Sequence, residues 1–213
     1  MASLPIQQAE RAALCDLFLE TGPDAPTLCE GWTTYDLAAH LVIRERKPLS
    51  GPGLVMGGAA ARLTARILER AKQTHSYAEL VSTVRRGPPA VLRPFDKAMN
   101  QTEYFVHHED VRRGGGDTTA RTGVEAAQVE EALWTMLQRG AKFMTRPVKE
   151  IGIDLVRPSG DVIHARPGPA VATLTGTAVE IVLFLSGRGE AAHVELGGPT
   201  QAVAAVRAAG FGI

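Results

Sequence analysis

Pro147 divides the chain into two kinds of pattern. Before it, apolar residues recur three and four apart, the period of helices buried along one face; after it, IGIDLVRPSGDVIHARPG alternates like two strands joined through Pro-Ser-Gly-Asp. AVATLTG reads as a third strand, TAVEIVLFLSGR as an apolar helix capped by Gly187, HVEL as a further strand and PTQAVAAVRAAG as a closing helix. This order predicts an α+β chain, with a helical unit over residues 1–149 and a small α/β unit over 150–213.

Within the helical part, helices are expected over residues 5–20, 33–47, 99–113 and 124–144, with shorter ones in AAARLTARILERAK and SYAELVSTVRR. PLSGPG breaks the second helix, GPPAVLRPF is a proline-rich connector, and Gly114, Gly115 and Gly116 end the helix before them. Val129, Leu133, Met136 and Leu137 give the 124–144 helix an inward face. The set is sufficient for an antiparallel bundle whose facing helices project side chains toward one another.

Two segments carry polar residues where a bundle should be apolar. In DLAAHLVIRE, Leu37, His40, Leu41 and Arg44 follow the i, i+3, i+4, i+7 rhythm of a packed stripe, so His40 points inward. Thr33 and Asp36 form a capping-box variant at the start of that helix, and Trp32 before it is placed to act as a staple. In TEYFVHHEDVRR, Glu103 and His107 lie four apart and share a face, so one carboxylate and one imidazole can meet at a point. A single histidine on an apolar face is commonly a core residue with a satisfied ring. Two histidines and a carboxylate, however, make a ligand set for zinc, iron or nickel that leaves positions open for water or substrate, and an ionised glutamate in an apolar interior needs a partner or a cation. The spacing is not H-E-x-x-H, so the zinc-protease helix is absent. His108 points about a quarter-turn away from His107 and is disfavoured as a ligand. Asp110, three residues beyond His107, is placed to orient its ring.

CEGWTTYDLAAHLVIRE resembles the opening signature of the mycothiol-dependent maleylpyruvate isomerase N-terminal domain, a branch of the DinB-like metal-binding four-helix bundles. TEYFVHHEDVRR is similar to that family's later metal helix, and the likeness continues into TLTGTAVEIVLFLSGR. The resemblance implies a DinB-like antiparallel four-helix bundle followed by a small α/β domain. It also implies that His40, Glu103 and His107 hold a divalent metal, usually zinc, with water completing the shell. A compact subgroup carrying EYFVHHEDVRR is described only as metal-binding, which leaves two functions open. One is a thiol-dependent isomerase or S-transferase that uses mycothiol or a similar thiol on a small electrophile. The other is a non-enzymatic metal-binding protein with a structural, sensing or metal-handling role. A third, vestigial site would need His40 packed away from Glu103.

Other chemistries lack their signatures. Lys and Arg number 23 against 23 Asp and Glu, with no basic domain or stripe, so neither nucleic acid nor an anionic membrane is an expected partner. No run of about twenty apolar residues and no signal-peptide pattern occurs, and the cytoplasm is the expected location. GPGLVMGG and RRGGGD match no phosphate-binding loop, and G-x-S-x-G is missing. Cys15 reads as a buried thiol and Cys29 as a loop residue near the His40 helix. The arginine pairs 44/46, 85/86 and 112/113 read as solvated or ion-paired, Arg44 being close enough to His40 to meet a substrate carboxylate. His75, His164 and His193 have no evident partners, and no catalytic residue is assigned.

Overall fold

The computed structural model describes residues 4–46 and 59–212, with side chains omitted at 59–64. The PLSGPG break and GLVMGG fall outside the described residues. Two compact units result, Met1–Thr118 and Thr119–Ile213.

The first unit is helical: α1 (Ile6–Thr21), α2 (Thr34–Arg46), α3 (Ala59–Thr74), α4 (Tyr77–Arg86) and α5 (Asp96–Gly114), the last preceded by a 3-10 turn over Ala90–Phe95. Helix α1 packs along α5 and α4, and α2 packs against α4 and α3. Local chemistry sets the ends. Asp36 accepts from the Thr33 N–H at 3.0 Å and the Thr33 hydroxyl at 2.9 Å, closing the start of α2. Ser76 and Glu79 form a full capping box on α4. Helix α5 begins at Asp96 rather than at residue 99, because the 3-10 turn feeds directly into it and Pro94, at the turn's end, needs no N–H donor there. Leu14 and Phe18 of α1, Leu37 and Leu41 of α2, Leu80 and Val84 of α4 and Tyr104 of α5 are fully buried together.

Charged residues lie in this core as well. Arg11 of α1 donates to Glu45 of α2 and Asp96 of α5, both at 2.7 Å, while Tyr104 donates to Glu45 at 2.8 Å and Asn100 to Asp96 at 2.7 Å. Burial disfavours the charged guanidinium, yet Asp96, Glu45 and the Tyr104 phenol around it raise the Arg11 pKa. Cys15 is buried as expected, its thiol pushed up to about 12 by that burial.

In the second unit, α6 (Val124–Met144) packs against β2 (Val162–Arg166) and α7 (Ala178–Leu185). The division therefore falls at Thr118/Thr119, and the long helix joins the sheet rather than ending the helical unit near Lys149. Its buried Val129, Leu133, Trp134 and Leu137 account for that placement, and the Glu130 carboxylate accepts the Ala178 and Val179 N–H groups at 2.7 and 3.1 Å, capping α7. The four strands, with β1 (Gly152–Val156), β3 (Val171–Thr175) and β4 (Glu195–Gly197), run in the order β2-β1-β3-β4. β1 is antiparallel to β2 and parallel to β3; β4 closes the other edge antiparallel to β3 and is shorter than HVEL suggested. The β2–β3 connection crosses the start of β1 where Gly168 lies against Gly152, and a side chain at either would strike backbone. His164 is not partnerless: it sits opposite Asp154 and bonds its carboxylate at 2.8 Å. A final helix, α8 (Thr200–Ala208), completes the unit, and among the described residues no helix is long and apolar enough to cross a membrane.

Candidate metal centre

Helices α2 and α5 bring His40, Glu103 and His107 to one point. The Glu103 Oε1 atom lies 3.2 Å from His40 Nε2 and 3.2 Å from His107 Nε2, and the two rings are 5.2 Å apart at 74°. All three ligand atoms fall within 4.8 Å of one another. In a tetrahedral site with bonds of about 2.0–2.1 Å, neighbouring ligand atoms are separated by about 3.3 Å. The two separations from Glu103 Oε1 match that spacing and are also hydrogen-bond distances, so the three residues could hold the implied metal.

Each ring is set by what surrounds it. His107 Nδ1 faces Asp110 Oδ2 at 2.8 Å, and Asp110 is wholly buried, so the ring presents Nε2 to Glu103. Burial opposes charge on His107, but Asp110, Cys29 and Glu103 overcome it and hold its pKa well above the ordinary value. Burial dominates at His40 and lowers its pKa, leaving that ring neutral. Its Nδ1 is buried without a hydrogen-bond partner among the described residues, and Trp32 lies 5.2 Å away, centroid to centroid. Trp32 thus packs on the ring of His40. Burial would also favour a neutral Glu103, yet bonds from both imidazoles and the nearby Arg44 hold its carboxyl well below the usual range.

Arg44 is adjacent to the site, as its spacing from His40 suggested. Its guanidinium contacts Glu103 Oε1 at 3.0 Å, Asn100 Oδ1 at 2.6 Å and the Met99 carbonyl at 2.8 Å. This arginine neutralises the buried glutamate, so the burial of Glu103 does not by itself demand a cation. The argument for a metal rests instead on two imidazole nitrogens converging on one carboxylate oxygen. His108 turns the other way and pairs with Glu10 of α1 at 2.9 Å. The Cys29 loop packs on α5 and also brings the thiol toward the site: Sγ stands 3.2 Å from Asp110 Oδ2, the oxygen that also holds His107. Gly114 is the sequence signal for that approach, because a Cβ there would lie 2.5 Å from Thr27 Cα.

No protein-family model and no curated protein matches the sequence. Among solved structures, a mycothiol-dependent maleylpyruvate isomerase is similar over 92% of this chain and 96% of its own, with a TM-score of 0.54 and 20% identity. The chain has that isomerase's fold. A histidine-to-alanine variant of a mycothiol-dependent maleylpyruvate isomerase is similar over the same shares of both chains, with a TM-score of 0.54 and 19% identity. At these identities the isomerase likeness concerns the fold.

Proposed function

We propose that the protein is a metal- and thiol-dependent enzyme, an isomerase or S-transferase in which His40, Glu103 and His107 hold a divalent ion, zinc first among the candidates. The observation that carries this reading is the convergence of His40 Nε2 and His107 Nε2 on Glu103 Oε1, 3.2 Å from each. The dependence of the isomerase of like fold on mycothiol supports a low-molecular-weight thiol as co-substrate. A divalent ion with an open position lowers the pKa of a bound thiol and stabilises the thiolate that attacks a small electrophile. The chain's own contribution is orientation. Asp110 accepts the proton on His107 Nδ1, which leaves Nε2 as the nitrogen that would ligate, while Arg44 fixes the Glu103 carboxylate between the rings.

Calorimetry of zinc-loaded protein with mycothiol, and with smaller thiols, in buffers of differing ionisation enthalpy tests the reading. Proton release on thiol binding is expected, because the thiolate is the ligand. His40→Ala removes the signal. Zinc-loaded protein that binds no thiol through sulfur would leave the second reading, a metal-binding protein without catalysis.

A further inference from the structure

Cys29 lies in a loop built to hold it against α5. The Leu28 N–H donates to the Asp110 carbonyl at 3.0 Å, and the Thr27 hydroxyl oxygen accepts the Cys29 N–H at 3.1 Å. Gly114 lets the backbone at Pro26 and Thr27 close onto the helix, since a Cβ there would meet Thr27 Cα at 2.5 Å and the Pro26 carbonyl oxygen at 2.7 Å. The result is a half-buried thiol beside a wholly buried carboxylate and the rear nitrogen of His107. Cys29 Sγ is 3.2 Å from Asp110 Oδ2, which is 2.8 Å from His107 Nδ1, and the three residues offer ligand atoms within 4.8 Å of one another. This cluster is on the opposite edge of the imidazole from Glu103.

We infer that Cys29, Asp110 and His107 Nδ1 form a second cation site, distinct from His40/Glu103/His107 and selective for more thiophilic divalent ions such as cadmium. Sulfur, imidazole and carboxylate together suit borderline and soft ions, and magnesium and calcium are excluded because they take oxygen ligands. Binding forms metal bonds to Sγ, Nδ1 and a carboxylate oxygen and breaks the S–H and Nδ1–H bonds. In the metal-free protein, where both ring nitrogens face carboxylates, the two protons leave to solvent and the ring keeps its remaining proton on Nε2. A neutral imidazole has one lone pair, so an ion on Nδ1 takes His107 away from His40 and Glu103. The two sites share one ring and exclude each other. A thiophilic metal would therefore displace the ion of the first site through Cys29.

The test is cadmium titration of metal-free protein. Thiolate-to-cadmium absorption should rise to saturation at one equivalent, and alkylation of Cys29, followed by peptide mass mapping, should slow in step with that rise. Cys15, fully buried, should stay unalkylated throughout, so the label reports Cys29. Cys29→Ser should lose the absorption, and Glu103→Gln, which impairs the first site alone, should keep it. Cadmium should weaken cobalt uptake at the first site by about tenfold or more in the wild type and not in Cys29→Ser. An unchanged alkylation rate at one equivalent of cadmium would overturn the inference, as would loss of the absorption in Glu103→Gln, which would make Cys29 a ligand of the first site. The cobalt spectrum of Cys29→Ser reports the first site independently, so failure of one site is distinguishable from failure of the other.

Discussion

Replacing Asp110 by asparagine should weaken metal binding at His40/Glu103/His107 without removing a ligand. Asp110 has no solvent exposure, and its Oδ2 is 2.8 Å from His107 Nδ1. As a carboxylate it can only accept, which fixes the proton on Nδ1 and leaves Nε2 free to ligate. Asparagine keeps the shape but loses the charge. A charge-assisted bond is roughly twice as strong as a neutral one, a difference of about 1 kcal/mol. The amide can also turn its NH₂ toward the ring and favour the tautomer that carries the proton on Nε2. Together these effects predict a 10- to 100-fold rise in Kd, about 1.4–2.7 kcal/mol. Competition of zinc against a chromophoric chelator gives that Kd directly. Unfolding by urea at buffered zinc gives the same number a second way, because stabilisation by a saturating ligand falls by about 1.4 kcal/mol for each tenfold loss of affinity. Urea unfolding of the metal-free proteins separates any cost of the substitution to the fold. A folded Asp110→Asn protein that binds zinc as tightly as the wild type would refute the claim that Asp110 orients His107.

His107→Ala should abolish the zinc-induced rise in melting temperature, whereas His108→Ala should retain it while lowering the metal-free melting point, since His108 serves Glu10 on α1. Arg11→Met should cost about 3 kcal/mol in urea unfolding near neutral pH, because it strands Glu45 and Asp96 with the neutral donors Tyr104, Asn100 and Gln7 around them. Burial alone would raise the Asp96 carboxyl, but Arg11 and Asn100 hold it below its ordinary value. Its stabilisation is therefore present above the unfolded aspartate value of about 3.9 and is lost as pH falls through the folded one. The wild-type and Arg11→Met curves should converge in acid; a constant gap down to the acid transition would contradict this. Gly114→Ala should destabilise by about 1–3 kcal/mol and accelerate alkylation of Cys29, because the backbone at Thr27 must move away from α5.

The convergence of His40, Glu103 and His107 was legible because each obeys a local rule. His40 falls in an apolar stripe behind a readable helix start, and Glu103 and His107 are one turn apart on one helix. The Arg11 network was not legible, since Arg11, Glu45 and Asp96 each look like solvated helix charges and are joined only by contacts up to 85 residues apart in sequence. Cys29 was underread for a similar reason: its partner Asp110 is 81 residues away, and only the missing Cβ at Gly114 hints at the close approach. Strand positions in the second unit followed from alternation and turns. The assignment of the 124–144 helix did not, because an amphipathic face shows that a helix is buried but not what it is buried against.

The parallel pairing of β1 with β3 has a consequence for how the second unit is reached from the unfolded chain. Parallel neighbours ordinarily need a crossover of a dozen or more residues, and long-range pairing slows folding. Here β2 lies within the interval between them, and the crossing itself runs only from Arg166 to Val171, over Gly152 and Gly168. All three strands lie within Gly152–Thr175, so the loops that must close are short and the sheet's centre can assemble before α6, α7 and α8 dock. Gly168 is the narrowest point of that crossing: a Cβ there would lie 2.1 Å from the Gly152 nitrogen, so any side chain obstructs the route from β2 to β3.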